Sequence, residues 1–328
     1  MSRKTAKARL PDHWRDLVSV RPRFQRSVHL ERDASEGGWV EGYLVSPGVR
    51  SVMERVAAGL ERSGGSRAWS LSGPYGVGKS SLALFCSHCL APTDSAVAGR
   101  AVEALRQADE TLAGRIDRVR GLLAVRATGE RRRLDLILLT ALLRAVEDSG
   151  SRIGRRPAIL AEIAGAVASA EKYGGLPTRR VVALFEKAAA KVAASKGRGR
   201  GLLVVLDEAG KGLQHAGHFP PNRDQHLLQQ LSGAASRSDA YPIVFMVVLH
   251  QGFEQYAVRL GAGLKNEWAK VQGRFEELPF QEAPDQIVRL VGQALAREAL
   301  PPAWASAASR LCKEAAGGTS RGDSGPGR

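Results

Sequence analysis

Gly73-Pro74-Tyr75-Gly76-Val77-Gly78-Lys79-Ser80 is a full instance of the pattern G-x-x-x-x-G-K-[ST], and it lies between a short apolar run and a segment that reads as a helix. Glycines at these spacings let successive backbone N–H groups point into one concavity. The partly positive start of the next helix completes that concavity as an anion site. Lys79 would reach the β- and γ-phosphates of a nucleotide, and the Ser80 hydroxyl would bind Mg²⁺. The flanks supply the context this needs: Ala68-Trp69-Ser70-Leu71 reads as a buried strand and Ser81-Leu82-Ala83-Leu84-Phe85 opens a helix. The nucleotide-binding set from the motif is therefore Gly73, Pro74, Tyr75, Gly76, Val77, Gly78, Lys79, Ser80 and Ser81.

A second stretch answers the first. Gly201-Leu202-Leu203-Val204-Val205-Leu206 is a continuous run of β-branched residues and leucine, the mark of a central parallel strand covered on both faces. Asp207-Glu208 ends it. A carboxylate leaving the carboxyl end of such a strand suits a magnesium ligand, so Asp207 joins Ser80 as the expected metal pair. Glu208 would orient and polarise an attacking water. Tyr241 to Leu249 is another buried strand, ending in His250, which either senses the γ-phosphate or caps the strand. Arg274 precedes a short strand over 276–280; it would act as an arginine finger on developing phosphate charge, or pair with Glu276 or Glu277.

Between these landmarks the chain is mostly helical. Ser46-Pro47 starts a helix to about Arg62 with Val49, Val52, Met53, Val56, Ala57 and Leu60 on one face. Residues 95–120 read as a charged, Ala-rich helical segment before a strand over 121–127. Arg131-Arg132-Arg133 then reads either as the solvent-facing start of the helix Leu134–Glu147 or as a phosphate contact. Helices over 157–172, 177–194 and 224–236 follow, the first two belonging to a helical insertion of about 134–195. Residues 1–35 form a basic, loosely ordered arm, 36–283 the nucleotide-binding domain, 284–315 two further helices (Pro284–Arg297 and Pro302–Ala315), and 316–328 a disordered tail.

Composition narrows the partners. The 328 residues carry 48 Lys and Arg against 33 Asp and Glu, a net charge of +15, which attracts polyanions, nucleic acid first among them. Only 11 of the 48 are lysine, so part of the excess reflects compositional bias. No apolar run spans a bilayer and no signal region follows Met1, so a cytoplasmic address without membrane contact is expected. Cys86-Ser87-His88-Cys89 lacks a second pair to make a zinc site and reads as two small residues packing one helix face. His215, His218 and His226 fit no compact metal spacing.

Taken together, the elements over about residues 40–290 resemble the additional-strand, catalytic-glutamate branch of P-loop ATPases, in particular AAA+ ATPases of origin-recognition type and STAND switch ATPases. More loosely, the Leu206-to-Lys211 stretch and the His250–Arg274 block look similar to large bacterial ATPases of phage-defence and DNA-transaction loci. The resemblance implies an α/β three-layer sandwich with a five-stranded, mainly parallel sheet in the order fifth, first, fourth, third, second strand. It also implies that Tyr43, with Gly42, lies on the adenine side, that His250 is a first sensor, and that Arg274 is the finger of a neighbouring subunit in a homo-oligomer. The cofactors implied are ATP and Mg²⁺. ATP over GTP rests on the resemblance, since no guanine-specifying N-K-x-D follows the site. The two helices after 284 amount to a short or truncated lid, a departure from the family pattern. The expected function is an Mg²⁺-dependent ATPase that switches or moves a nucleic-acid-associated assembly. The alternatives are a non-hydrolysing, nucleotide-gated interaction module, a truncated fragment that works with an effector partner, and, less well supported, a small-molecule kinase.

Overall fold

The computed structural model describes residues 18–21, 24–62, 64–93, 95–150, 158–195, 199–210, 223–251 and 269–297, with short helical pieces at 305–306, 309–310 and 312–314. The chain divides into two units, Val28–Gln286 and a smaller one of Met1–Ser27 with Ile287–Arg328.

The larger unit is α/β. Its strands β2 (Ala68–Ser72), β3 (Leu122–Thr128), β4 (Gly201–Asp207), β5 (Ile243–Leu249) and β6 (Glu276–Pro279) form one sheet in the order β3-β4-β5-β2-β6. Every neighbouring pair is parallel. The period-two geometry of a strand sends successive side chains to opposite faces, and both faces are covered here. Leu202, Val204, Leu206, Ile243, Phe245 and Val247 enter one core, whereas Leu203, Val205, Val244, Met246 and Val248 enter the other. That double covering explains why β4 and β5 read as unbroken apolar runs.

The second core is closed by α1 (Pro47–Glu61), α2 (Lys79–Cys89), α3 (Ala96–Ala108) and α4 (Glu110–Val119). The first is closed by α5 (Leu134–Asp148), α6 (Ala158–Lys172), α7 (Thr178–Ala193) and α8 (Arg223–Arg237). Ser46 caps α1, its hydroxyl accepting from the Val49 N–H at 3.1 Å while Pro47 takes the first helical position. The helical segment expected over 95–120 is built of two helices. Asp109 leaves helical geometry (φ −160°) and its carboxylate accepts from Leu112 N–H at 2.8 Å, so it ends α3 and starts α4 at once.

The expected basic arm over 1–35 is not loose throughout, because Leu30 and Asp33 within it are 1% and 4% exposed. Asp33 accepts from the His29 N–H at 2.8 Å and Leu30 enters the second core. Residues 1–17 lie outside the described residues. The helix expected to reach Arg297 stops earlier: α9 (Pro284–Ala294) ends before β7 (Leu295–Arg297), which pairs antiparallel with β1 (Val18–Val20) in the smaller unit. Half of the expected helix Pro302–Ala315 and the whole tail lie outside the described residues; the pieces of that helix that are described are helical. No helix among the described residues is long and apolar enough to cross a membrane.

Cys86 and Cys89 are fully buried, and burial pushes the Cys86 thiol up to about 12. Between them His88 lies under the Trp39 ring, 5.4 Å between centroids. Burial first, then the Arg126 charge, press its imidazole down to about 3. Free histidine titrates near 6.5, so the unfolded chain takes this proton before the folded one does. The His88 contribution to stability is therefore complete above about pH 6.5 and lost as pH falls toward 3, at up to about 1.4 kcal/mol per pH unit. Denaturant titrations at pH 7 and pH 4.5 should show a smaller acid loss for His88→Phe than for the parent, and an equal loss would refute this account.

Candidate active site

Parallel strands all point their carboxyl ends the same way, so residues just past β2, β3, β4 and β5 converge at one edge of the sheet. The chain from Gly73 to Gly78 turns there into α2. Gly76 (φ 80°) and Gly78 (φ 93°) adopt left-handed backbone that a side chain would strain. Phe280 N–H donates to Ser72 O at 2.7 Å, which ties the segment after β6 to the start of the same turn.

Lys79 begins α2 and is 5% exposed. Its ammonium donates to Gly73 O at 2.7 Å and Pro74 O at 2.6 Å, so the charge lies folded against the loop. Burial lowers its pKa, and the nearby Asp207 carboxylate opposes that shift. Asp207, at the end of β4 and 4% exposed, shows the converse: burial raises its pKa, while the nearby Ser80 hydroxyl and a hydrogen bond from the Glu208 N–H, at 2.8 Å, hold it down. Ser80 and Asp207, far apart in the chain, are thus brought close together.

Glu208 is the only non-glycine residue with positive φ (50°) among the described residues. Left-handed backbone costs such a residue about 1 kcal/mol, and strain of this kind clusters where function needs a particular geometry. Gly129, just past β3, closes against it. Its N–H donates to Asp207 O at 2.7 Å, and a Cβ there would stand 2.4 Å from Glu208 O. Since that atom is backbone, Gly129→Ala must displace the Glu208–Ala209 peptide. We expect at least a tenfold loss of turnover with nucleotide affinity changed less than threefold, the two being measured separately on one preparation.

His250 follows β5, whose Leu249 is in register with Ser72. Its ring stacks on Tyr75, 4.3 Å between centroids and 24° between planes, and its charge lowers the pKa of Asp207. Tyr75 is otherwise 75% exposed. Tyr43 is packed on the α2 side: one face stacks on Phe85 at 4.4 Å, Trp39 meets it edge-on at 6.0 Å, and burial pushes its hydroxyl well above the usual range.

Arg274 does not join this cluster. Register pairs Glu276 with Trp69, so Arg274 stands at the amino end of the strands, about 20 Å from the loop at about 3.3 Å per residue. It is exposed and its Nη1 lies beside Gly233 of α8. His215 and His218 lie outside the described residues, and His226 is exposed on α8.

Gly129 and the Tyr75–His250 stack went unread at the sequence level, as did Thr128, whose hydroxyl is buried without a hydrogen-bond partner beside Asp207 in register. A Thr-Gly pair after an apolar strand was visible, but nothing local says which strand end it will face. Neither a scan against protein-family models nor a search of curated proteins returns a match for this chain.

Proposed function

We propose that this chain is an Mg²⁺-dependent P-loop ATPase of AAA+ or STAND-like type, acting as a switch or motor in a nucleic-acid-associated assembly. One observation carries the reading: Ser80, Lys79, Asp207 and Glu208 gather at the carboxyl end of a parallel sheet, with Lys79 folded on the loop carbonyls and the Glu208 N–H on the Asp207 carboxylate. The insertion of β5 between β2 and β4 supports the additional-strand branch.

The donor set suits Mg²⁺ better than a transition metal. Among the described residues no group of three or more His, Cys, Asp and Glu could cage an ion. Mg²⁺ needs no such cage, since it takes one or two protein oxygens and fills its octahedron with phosphate oxygens and water. Ser80 and Asp207 would be those two oxygens. When bound, the metal would supply neutralisation of phosphate charge.

The residues divide the remaining work. Backbone N–H groups over 76–80 cradle the phosphates, and the Lys79 ammonium exchanges its two loop carbonyls for phosphate oxygens. Glu208 holds the attacking water and accepts its proton. His250 stands where the leaving γ-phosphate would be sensed. Arg274, at the far end of its own sheet, would serve a neighbouring copy's phosphates, which makes the active species a homo-oligomer. The test is steady-state phosphate release from ATP by the full chain with Mg²⁺, at protein concentrations spanning assembly. Turnover that rises with concentration and vanishes without Mg²⁺ is expected; ATP left uncleaved under all conditions overturns the reading.

A further inference from the structure

We propose that the ridge made by the loop after β3 and the turn between α6 and α7 holds a single-stranded nucleic acid, with Arg131, Arg132, Lys172, Arg179 and Arg180 on phosphates and Tyr173 against a base. This rests on the nucleic-acid part of the reading above and is independent of hydrolysis.

Two separate segments are locked together here. The Arg133 guanidinium donates to Ala170 O at 2.7 Å, and Asp135, which also pairs with Arg133 at 3.1 Å, accepts from Leu176 N–H at 2.9 Å. Each of the six proposed residues is within four Cα steps of one of these anchored positions, so all stand within about 15 Å of the joint. Residues 129–135 and 171–180 together hold six basic and three acidic side chains. Of the acids, Asp135 is spent inside the joint and Glu130 sits 3.7 Å from Arg132.

Arg131, Arg132, Lys172, Arg179 and Arg180 are exposed, and Arg131, Arg179 and Arg180 enter no ion pair among the described residues. The first turn of α7 carries both of its arginines and no acidic residue. Cations at that end of a helix oppose its dipole, so folding does not favour them there, whereas a polyanion lying across them removes the conflict.

Tyr173 decides the kind of polyanion. It is 71% exposed, and the Lys172 ammonium lies 5.1 Å from its ring centroid. An aromatic face among phosphate-binding cations offers a platform to an unpaired base, which neither an acidic protein nor a fully paired duplex uses. Nothing in this set reads a 2′-hydroxyl, so DNA and RNA single strands should bind alike.

The test is fluorescence anisotropy of a labelled oligodeoxyadenylate of about 16 nucleotides with the full chain, from about 50 to 200 mM salt. Expected are a log-linear loss of affinity with salt, a roughly tenfold loss with a shallower slope for Arg131→Gln/Arg132→Gln, and a roughly tenfold loss for Tyr173→Ala on single strands alone. Arg62→Gln/Arg118→Gln, on the other face of the sheet, should match the parent, and thermal midpoints should confirm that every variant folds. If the parent binds and the ridge variants equal it, the ridge is wrong and the broader nucleic-acid reading survives. If the parent does not bind, both fall. Tight duplex binding with a silent Tyr173→Ala, or a strong preference for the RNA strand, also overturns the assignment.

Discussion

Lys79→Ala should lower the affinity for Mg²⁺-ATP by a factor of about 100 or more while leaving the fold intact. In the parent, the ammonium makes two hydrogen bonds to loop carbonyls, 2.6 and 2.7 Å long, and on the proposed function it would give them up to phosphate oxygens when nucleotide enters. A hydrogen bond to a charged group contributes about 1.5–3 kcal/mol, and every 1.4 kcal/mol is about tenfold in affinity. Two such bonds to β- and γ-oxygens account for the factor. Stability should not suffer in proportion, because burial already disfavours the charged form of Lys79, and the carbonyls it leaves, on Gly73 and Pro74, are at least partly open to water. Titration calorimetry with Mg²⁺-ATP, beside a thermal melt of the nucleotide-free protein, separates the two effects. A variant that binds ATP as well as the parent removes the site from the loop.

Glu208→Gln should do the opposite, holding nucleotide while turnover falls by about 10²–10⁴, the range a positioned general base supplies. The two side chains are nearly isosteric, so the left-handed backbone at φ 50° and the bond from the residue 208 N–H to Asp207 can persist. What disappears is the carboxylate that, on the proposed function, would take the water's proton. A second consequence follows from charge. The Glu208 carboxylate raises the pKa of Asp207, so its removal lets Asp207 ionise more readily, and Mg²⁺-nucleotide should be held as tightly as in the parent or more so. Single-turnover cleavage and equilibrium binding, measured on one sample, test both halves. Undiminished turnover in Glu208→Gln would move the base elsewhere and leave the strain at residue 208 without a catalytic purpose.

Much of the fold was legible because its signals are local. Ser46-Pro47 starts α1 where capping chemistry places it, and the runs ending in Leu206 and Leu249 are the buried parallel strands they appear to be in the sequence. The break at Asp109 was hidden, since an acidic residue inside an Ala-rich charged stretch looks like any solvated helical position. Only its carboxylate on the Leu112 N–H reveals the cap. Val18–Val20 and Leu295–Arg297 were also missed as strands, because each run is three residues long and gains its pairing from a partner at the other end of the chain.

The candidate site divides along the same line. Sequence alone determined which groups the candidate site draws on: the glycine spacing that turns the chain at 76 and 78, Lys79 and Ser80 at a helix start, and two carboxylates at the end of an apolar strand. Steric and hydrogen-bonding preferences of a few adjacent residues encode those features. Tertiary structure alone decided that Ser80 and Asp207 come together, that Gly129 lies against the Glu208 carbonyl, that Tyr75 lies on His250, and that Arg274 stands at the opposite end of the sheet. Those relations depend on strand order and register, which arise from how two hydrophobic cores pack against both faces at once, and no local run of residues carries that information.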